Sequence, residues 1–313
     1  MTFRAFQEVD VPGPKRDFVG YGRHVPKVHW PNGARVAVSI VLNYEEGSEY
    51  SHPNGDARND GLTEMLYAME PKFRDLCAES VFEYGSRAGV WRLERLLTEY
   101  KIPITLYACA VAIERNREVG AWVREAGHEP CGHGWRWEEM WKLSREEEAE
   151  HIRMAIASIS ETCGERPIGW YCRYGPSANT RALLVEEGGF IYDSDAYNDD
   201  LPYYVEVNGK QHLIVRYSMT YNDAKFGVLP SYGAPSDFLE NLKRGLDFLW
   251  EEGATHPRMM SIGLHPRLIG QASRVHALRE FIEYAERKGE VWFCRRIDIA
   301  RWWHAHHAEF ITR

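Results

Sequence analysis

Apolar runs alternate with amphipathic stretches along most of this 313-residue chain. Ala34 to Leu42 (ARVAVSIVL) is β-branched and nearly free of charge, which predicts a strand buried on both faces of a parallel sheet. Further strands are predicted at Ile104 to Val111, within His128 to Gly134 together with its exit, at Ile168 to Cys172, Phe190 to Tyr192, Leu213 to Tyr217, Met259 to Leu264 and Glu290 to Cys294. Helical spacing fills the gaps. Val90, Leu93, Leu96 and Leu97 form one stripe, with Ser86 as the expected N-cap. Glu118 to Ala126 stops at Gly127, and Ser144 with Glu147 is a capping-box signature for a helix to Thr162. Helices at 180–187, 237–252, 274–287 and 297–307 complete the set.

Strand and helix in regular alternation mean an α/β protein with a parallel sheet. Seven or eight such units in about 280 residues, without a linker, favour a (β/α) barrel of seven to eight parallel strands over two smaller halves. Residues 1–33, rich in Pro, Gly and charge, are expected as an N-terminal arm packed on the barrel, and residues 34–313 as a single catalytic domain.

Composition narrows the partners. A net charge of −8, with no basic run and no aromatic–basic interleaving, argues against nucleic acid. No apolar run approaches the ~18 residues that span a membrane. Six cysteines without a C-x-x-C, and no secretory signal, suggest reduced thiols and a cytoplasmic location. No G-x-G-x-x-G follows a strand, and neither a P-loop nor a G-x-S-x-G elbow is present.

In a barrel, the residues leaving the C-terminal strand ends converge at one mouth. Those here are Glu45 and Glu46 in Asn43-Tyr44-Glu45-Glu46-Gly47, then His133, Arg173, Asp193, Asp195 and His265. Side chains alternate along a strand, so only one of the two glutamates can continue its inward face; the other needs a turn. Held close, the two carboxyls should push each other's pKa values apart. Two carboxylates, two imidazoles and a guanidinium suit hydrolysis by an activated water: a base for the water, an acid for the leaving atom, a donor for the oxyanion. Cys131 and Cys172 read as packing residues. A metal is the rival reading, but Trp137 stands four residues after His133, where a second imidazole would complete a pair, and catalytic zinc normally takes three protein ligands.

The order of these exits resembles the polysaccharide-deacetylase (NodB homology) superfamily, whose fold is a distorted (β/α) barrel. Its Thr-Phe-Asp-Asp-Gly motif is matched by Asn43 to Gly47, its His-Ser/Thr-x-x-x-His by His133 to Trp137, its Arg-Pro-Tyr region by Arg173 to Pro176, and its Leu-His by Leu264-His265. The metal-independent allantoinase (PuuE-type) branch is the nearer likeness. It shares Asp17 to Gly22, His29-Trp30-Pro31, Glu83 to Arg92, Asp199 to Tyr203 and Ser261 to His265. The chain departs from that branch at Cys172 to Ser177 and at Pro266.

The resemblance implies Glu45, Glu46, His133 and His265 as catalytic residues, with Glu45 in the place of the base and His265 of the acid. Trp137, Arg173, Tyr174, Asp195 and Arg87 are candidates for substrate binding. Glu46 and His133 stand where deacetylases keep metal ligands, while Trp137 replaces the third. The expectation is therefore no cofactor, with one divalent metal such as zinc as the alternative. The expected activity is hydrolytic opening of a cyclic amide, allantoin to allantoate or a related hydantoin or imide. The alternatives are metal-dependent deacetylation of an N-acetylated sugar or small amide, and a non-catalytic ureide- or sugar-binding barrel. A small-molecule substrate and a homo-oligomer are implied as well.

Overall fold

A computed structural model describes residues 9–65, 67, 69–228 and 231–310. Nine strands form one sheet: β1 (Val36–Tyr44), β2 (Ile104–Ala108), β3 (Glu129–Gly132), β4 (Gly169–Trp170), β5 (Tyr192–Asp193), β6 (Tyr203–Val207), β7 (Lys210–Ile214), β8 (Arg258–Leu264) and β9 (Val291–Phe293). Their order is β6-β7-β5-β4-β3-β2-β1-β8. Beside β1, β2 pairs with the upper residues Ile40 to Tyr44 and β9 with the lower residues Val36 to Val38. All pairings are parallel except β6 with β7, which turn at Asn208 and Gly209, both at positive φ as a tight hairpin requires.

The α/β class and the mostly parallel sheet are as expected. The sheet curls into a half-barrel whose end strands β6 and β8 do not pair with each other among the described residues. Two local expectations are corrected. The strand expected at Leu213 to Tyr217 runs over Lys210–Ile214 and has a half-exposed hairpin partner, Tyr203–Val207, that was not expected. Ser86 is not a helix N-cap: Asp75 caps the helix Leu76–Tyr84, which passes through a π-helical turn, Gly85–Gly89, into Val90–Glu99. The capping box at Ser144 is present, at the head of Arg145–Cys163.

β1 is buried along its whole length. Its even-numbered side chains, Val36 to Tyr44, join the core under the outer helices, while Ala37 and Val41 join the core inside the curl. That inner core contains Tyr107, Tyr171, Tyr192 and Tyr217 from neighbouring strands and exits, together with Trp303 and Phe310 of the last helix, Arg296–Phe310. Of the arm expected at 1–33, residues 1–8 lie outside the described residues. Val28 and Trp30 are buried in the inner core, and the Trp30 ring packs against Trp292 and Trp303. Among the described residues no helix is long and apolar enough to cross a membrane. All six cysteines are unpaired.

Candidate active site

The alternation of β1 decides the fate of the glutamate pair. Asn43 continues the inner face and donates to Tyr217 Oη and to the Leu264 carbonyl, tying β1 to β8. Glu45 falls two residues further on the same face. Glu46 is swung into place by the turn after the strand, where its carboxylate accepts from the Glu45 and Arg267 amides. A side chain at Gly85 would collide with that carboxylate, and one at Gly89 with the Pro266 carbonyl. Both glycines lie on the π-helical turn, a distortion that recurs at functional sites. They let this helix press against the exits of β1 and β8 together.

Glu45 is the centre of the cluster. Its Oε1 lies 3.2 Å from His133 Nε2 and 3.6 Å from His265 Nε2, and its Oε2 lies 2.7 Å from Arg267 Nη1. The last contact is an ion pair without hydrogen-bond alignment. His133 leaves β3, donates from Nδ1 to the Tyr171 carbonyl at 2.8 Å, and stacks on the Tyr171 ring at 5.3 Å and 9°. His265 ends β8 and donates from Nδ1 to Asp223 Oδ1 at 2.6 Å. Asp223 Oδ2 also accepts from the backbone amides of His265 and Ile269, so one carboxylate fixes both the ring and its turn.

Electrostatics separates Glu45, Glu46 and His265. Burial pushes the Glu45 carboxyl up, but Arg267 and then His265 overcome it and hold the group well below the ordinary carboxylate range. Burial raises the pKa of Glu46, and the adjacent Glu45 adds to this against the opposing pull of Arg267. The two carboxyls are thus pushed in opposite directions, Glu45 down and Glu46 up. Burial would lower His265, but Glu45 and Asp223 raise it to about 9. Its imidazolium is the form present at neutral pH.

The other expected residues are placed differently. Arg173 does not reach Glu45 or Asp195: its guanidinium binds Asp60 through two contacts of 2.6 and 2.7 Å and donates to the Trp137 carbonyl. Trp137 is buried, with the Arg173 guanidinium 3.6 Å and that of Arg267 5.2 Å from its ring centre. Tyr174 takes a left-handed backbone (φ 57°), accepts from Arg173 through its hydroxyl, and is half exposed. Asp195 is buried beside Asp193; Oδ1 accepts from the Cys172 amide, Oδ2 has no hydrogen-bond partner, and burial and Asp193 push the group up to about 7. Arg87 is corrected: it lies between the two glycines that face the site, so it points away, 78% exposed and 3.6 Å from Glu83.

Sequence reasoning missed Arg267 and Asp223. Arg267 carried a usable signal, since a charge inside the apolar run Leu264 to Ile269 demands a buried anion. Asp223 had none, because it lies in an irregular connection 42 residues before its partner.

A divalent metal does not suit this donor set. Trp137 offers no ligand atom where the resemblance implies a third ligand. Of the alternative ligands, Glu46 turns to Arg267 and Gly85, while His133 turns to Glu45. Among the described residues no cluster of three or more His, Cys, Asp or Glu is arranged to hold a metal.

A curled, mostly parallel sheet with Glu45, His133 and His265 at its strand ends, the last held by Asp223, defines the class of deacetylase-type α/β hydrolases. The chain belongs to the polysaccharide deacetylase family. The family profile, described as polysaccharide deacetylase, matches residues 72–191. A Schizosaccharomyces pombe protein provisionally named polysaccharide deacetylase is 37% identical, covering 93% of this chain and 98% of its own. Among solved structures, PuuE allantoinase is 48% identical with a TM-score of 0.90, over 96% of this chain and 99% of its own. A Pseudomonas aeruginosa PAO1 protein, provisionally described as a polysaccharide deacetylase, is 46% identical with a TM-score of 0.89, over 93% and 98%.

Proposed function

We propose that this hydrolase opens the ring amide of a small cyclic ureide, with allantoin to allantoate as the leading case. The observation that carries the reading is one buried, ionised carboxylate, Glu45, set against His133, His265 and Arg267 without a donor set for a metal. The extensive likeness to PuuE allantoinase supports it.

Glu45 takes a proton from a water held beside His133 Nε2. The water oxygen bonds to the ring carbonyl carbon, and the carbonyl becomes an oxyanion. The oxyanion then collapses, the carbon–nitrogen bond breaks, and His265 gives its proton to the departing nitrogen. Transfer of the proton from Glu45 to His265 resets both groups. Asp223 keeps the His265 ring oriented and its charge balanced throughout. A ring nitrogen conjugated to a second carbonyl leaves more readily than a simple amide nitrogen. The barrier therefore asks less than the several kcal/mol of charge stabilisation a metal supplies to hydrolysis. Side chains only 1–6% exposed make fixed charges strong here.

Incubation of the purified protein with allantoin, hydantoin, dihydrouracil and glutarimide, with the ring-opened acids measured by chromatography, tests the reading; recovery of all four intact overturns it. Deacetylation of an N-acetylated sugar is the second reading, favoured by the names of the S. pombe and P. aeruginosa relatives. Release of acetate from chitooligosaccharides, abolished by chelation, would establish that alternative. The homo-oligomer is tested by light scattering on the eluting protein.

A further inference from the structure

Arg267 is the residue of this centre whose bonding is least complete. Its side chain is fully buried, and only Nε has a hydrogen-bond acceptor, the Leu62 carbonyl at 3.1 Å. Nη1 lies between the two glutamates, 2.7 Å from Glu45 Oε2 and 3.6 Å from Glu46 Oε1, without hydrogen-bond alignment to either. Nη2 has no hydrogen-bond partner. The guanidinium carbon sits 4.5 Å from the Phe82 ring centre and 5.2 Å from that of Trp137. A buried donor without an acceptor costs about 1–3 kcal/mol, more when charged, and folds keep such groups where a ligand completes them.

We propose that Arg267 is the resident cation of the centre, a guanidinium built in where the resemblance would place a metal, which neutralises Glu45 and offers Nη2 to the carbonyl oxygen of the substrate. The second half of this inference rests on the ring-opening reading; the first does not. The geometry agrees with both halves. The guanidinium touches the catalytic carboxylate on the oxygen that the histidines leave free, and Trp137 flanks it. Charge agrees as well: the Arg267 cation already stands between Glu45 and Glu46, so the place beside the catalytic carboxylate is filled before any ion arrives. An added divalent ion would face a guanidinium already in contact with Glu45.

The experiment compares wild type, Arg267→Ala and Arg267→Lys. For ring opening, R267A should lose about 10³-fold in kcat/KM, the loss typical of a deleted oxyanion donor together with its charge. R267K should recover at least about tenfold of that loss, because it restores the charge without the planar fork. Guanidinium chloride at 50 mM, well below denaturing concentrations, should also raise the R267A rate about tenfold, while sodium chloride at the same ionic strength should not. R267A activity within about threefold of wild type, or equal rescue by both salts, overturns the oxyanion role. Zinc binding, measured by equilibrium dialysis, needs no substrate and so stands apart from the ring-opening reading. R267A should bind zinc at least about tenfold more tightly than wild type or R267K, because removing one cation admits another. Equal zinc affinity in wild type and R267A, or tight stoichiometric zinc in wild type, overturns the resident cation. If R267A does not fold, the R267K arm and wild-type zinc dialysis decide: R267K activity equal to wild type overturns the planar-fork role, and tight wild-type zinc overturns the resident cation.

Discussion

Two buried groups at strand ends are each built from a carboxylate, an arginine and a histidine. At β5 and β7, Asp193 meets Arg181 and His212. At β1 and β8, Glu45 meets Arg267 and His265. In the first group the bonding closes. Arg181 Nε and Nη2 donate to the two oxygens of Asp193 at 2.7 and 3.1 Å, and His212 Nε2 lies 3.1 Å from the same carboxylate. Arg181 also reaches the Asp195 carbonyl, so the group fastens the helix Thr180–Glu187 to the sheet. In the second group the bonding stays open. His265 stops 3.6 Å from Glu45, and the Arg267 amino groups lack hydrogen-bond acceptors. The same chemistry therefore gives a rivet in one place and a centre with unused hydrogen-bonding capacity in the other. What separates them is whether the partners use up each other's hydrogen-bonding capacity.

The comparison can be broken at either group. The largest effect is expected for Glu45→Gln, which keeps the shape and removes the base. Its kcat/KM should fall by about 10³–10⁴-fold, while circular dichroism stays native. A loss below about tenfold would remove Glu45 from the role of base. Asp193→Asn should act the other way. Breaking a buried ion pair costs about 3–5 kcal/mol, seen as a lower midpoint in urea, while the folded fraction keeps its kcat/KM within about threefold. Equal damage to activity would show that the rivet also serves the reaction. Asp223→Asn keeps the side-chain shape but weakens the hold on His265, and should cost about 10–100-fold in kcat. An unchanged kcat would show that His265 does not need its orienting partner.

The pH dependence sharpens the same contrast. With its pKa raised to about 9, His265 should give a rate that falls as pH rises through that value. Its contribution to stability is complete below about 6.5, the value in an unfolded chain, and is lost as pH rises through about 9. Asp193 is held down to about 2, where Arg181 and His212 outweigh its burial. Its contribution is complete above about 3.8 and is lost as pH falls through about 2. Thermal melts across pH read both ends, and a rate that is flat through pH 10 would remove His265 as the acid. The smallest effect is expected for Arg87→Ala, within about twofold in both rate and stability, because an exposed ion pair contributes about 0–1 kcal/mol.

Much of the fold was legible because it is written in short-range patterns. The unbroken apolar run of β1 meant a strand with two buried faces, and Ser144 with Glu147 marked a helix start through contacts three residues apart. β6, half-exposed and separated from β7 by only Asn208 and Gly209, was not found, although the end of β7 was. Glu45, His133 and His265 were legible as residues at strand exits, because parallel strands end on one side. The role of Arg173 was not: its partner, Asp60, lies 113 residues away in a loop with no regular spacing. Arg87 was misplaced because the π-helical turn, which turns Gly85 and Gly89 inward and Arg87 outward, leaves no mark that distinguishes it from an ordinary helix.

The sequence by itself determined the alternation of elements, the inward parity that carries Glu45 from the end of β1, and the family to which the chain belongs. Only the tertiary structure decided which ions meet. The choice of Arg267 rather than Arg173 as the partner of Glu45, the Asp223 clamp on His265, and the opposite shifts of the two glutamate carboxyls all depend on contacts between distant segments. Such contacts follow from how the sheet curls and how closely the π-helical turn packs against it. Burial then magnifies small differences in position into large differences in charge state, and no local pattern of residues encodes those positions.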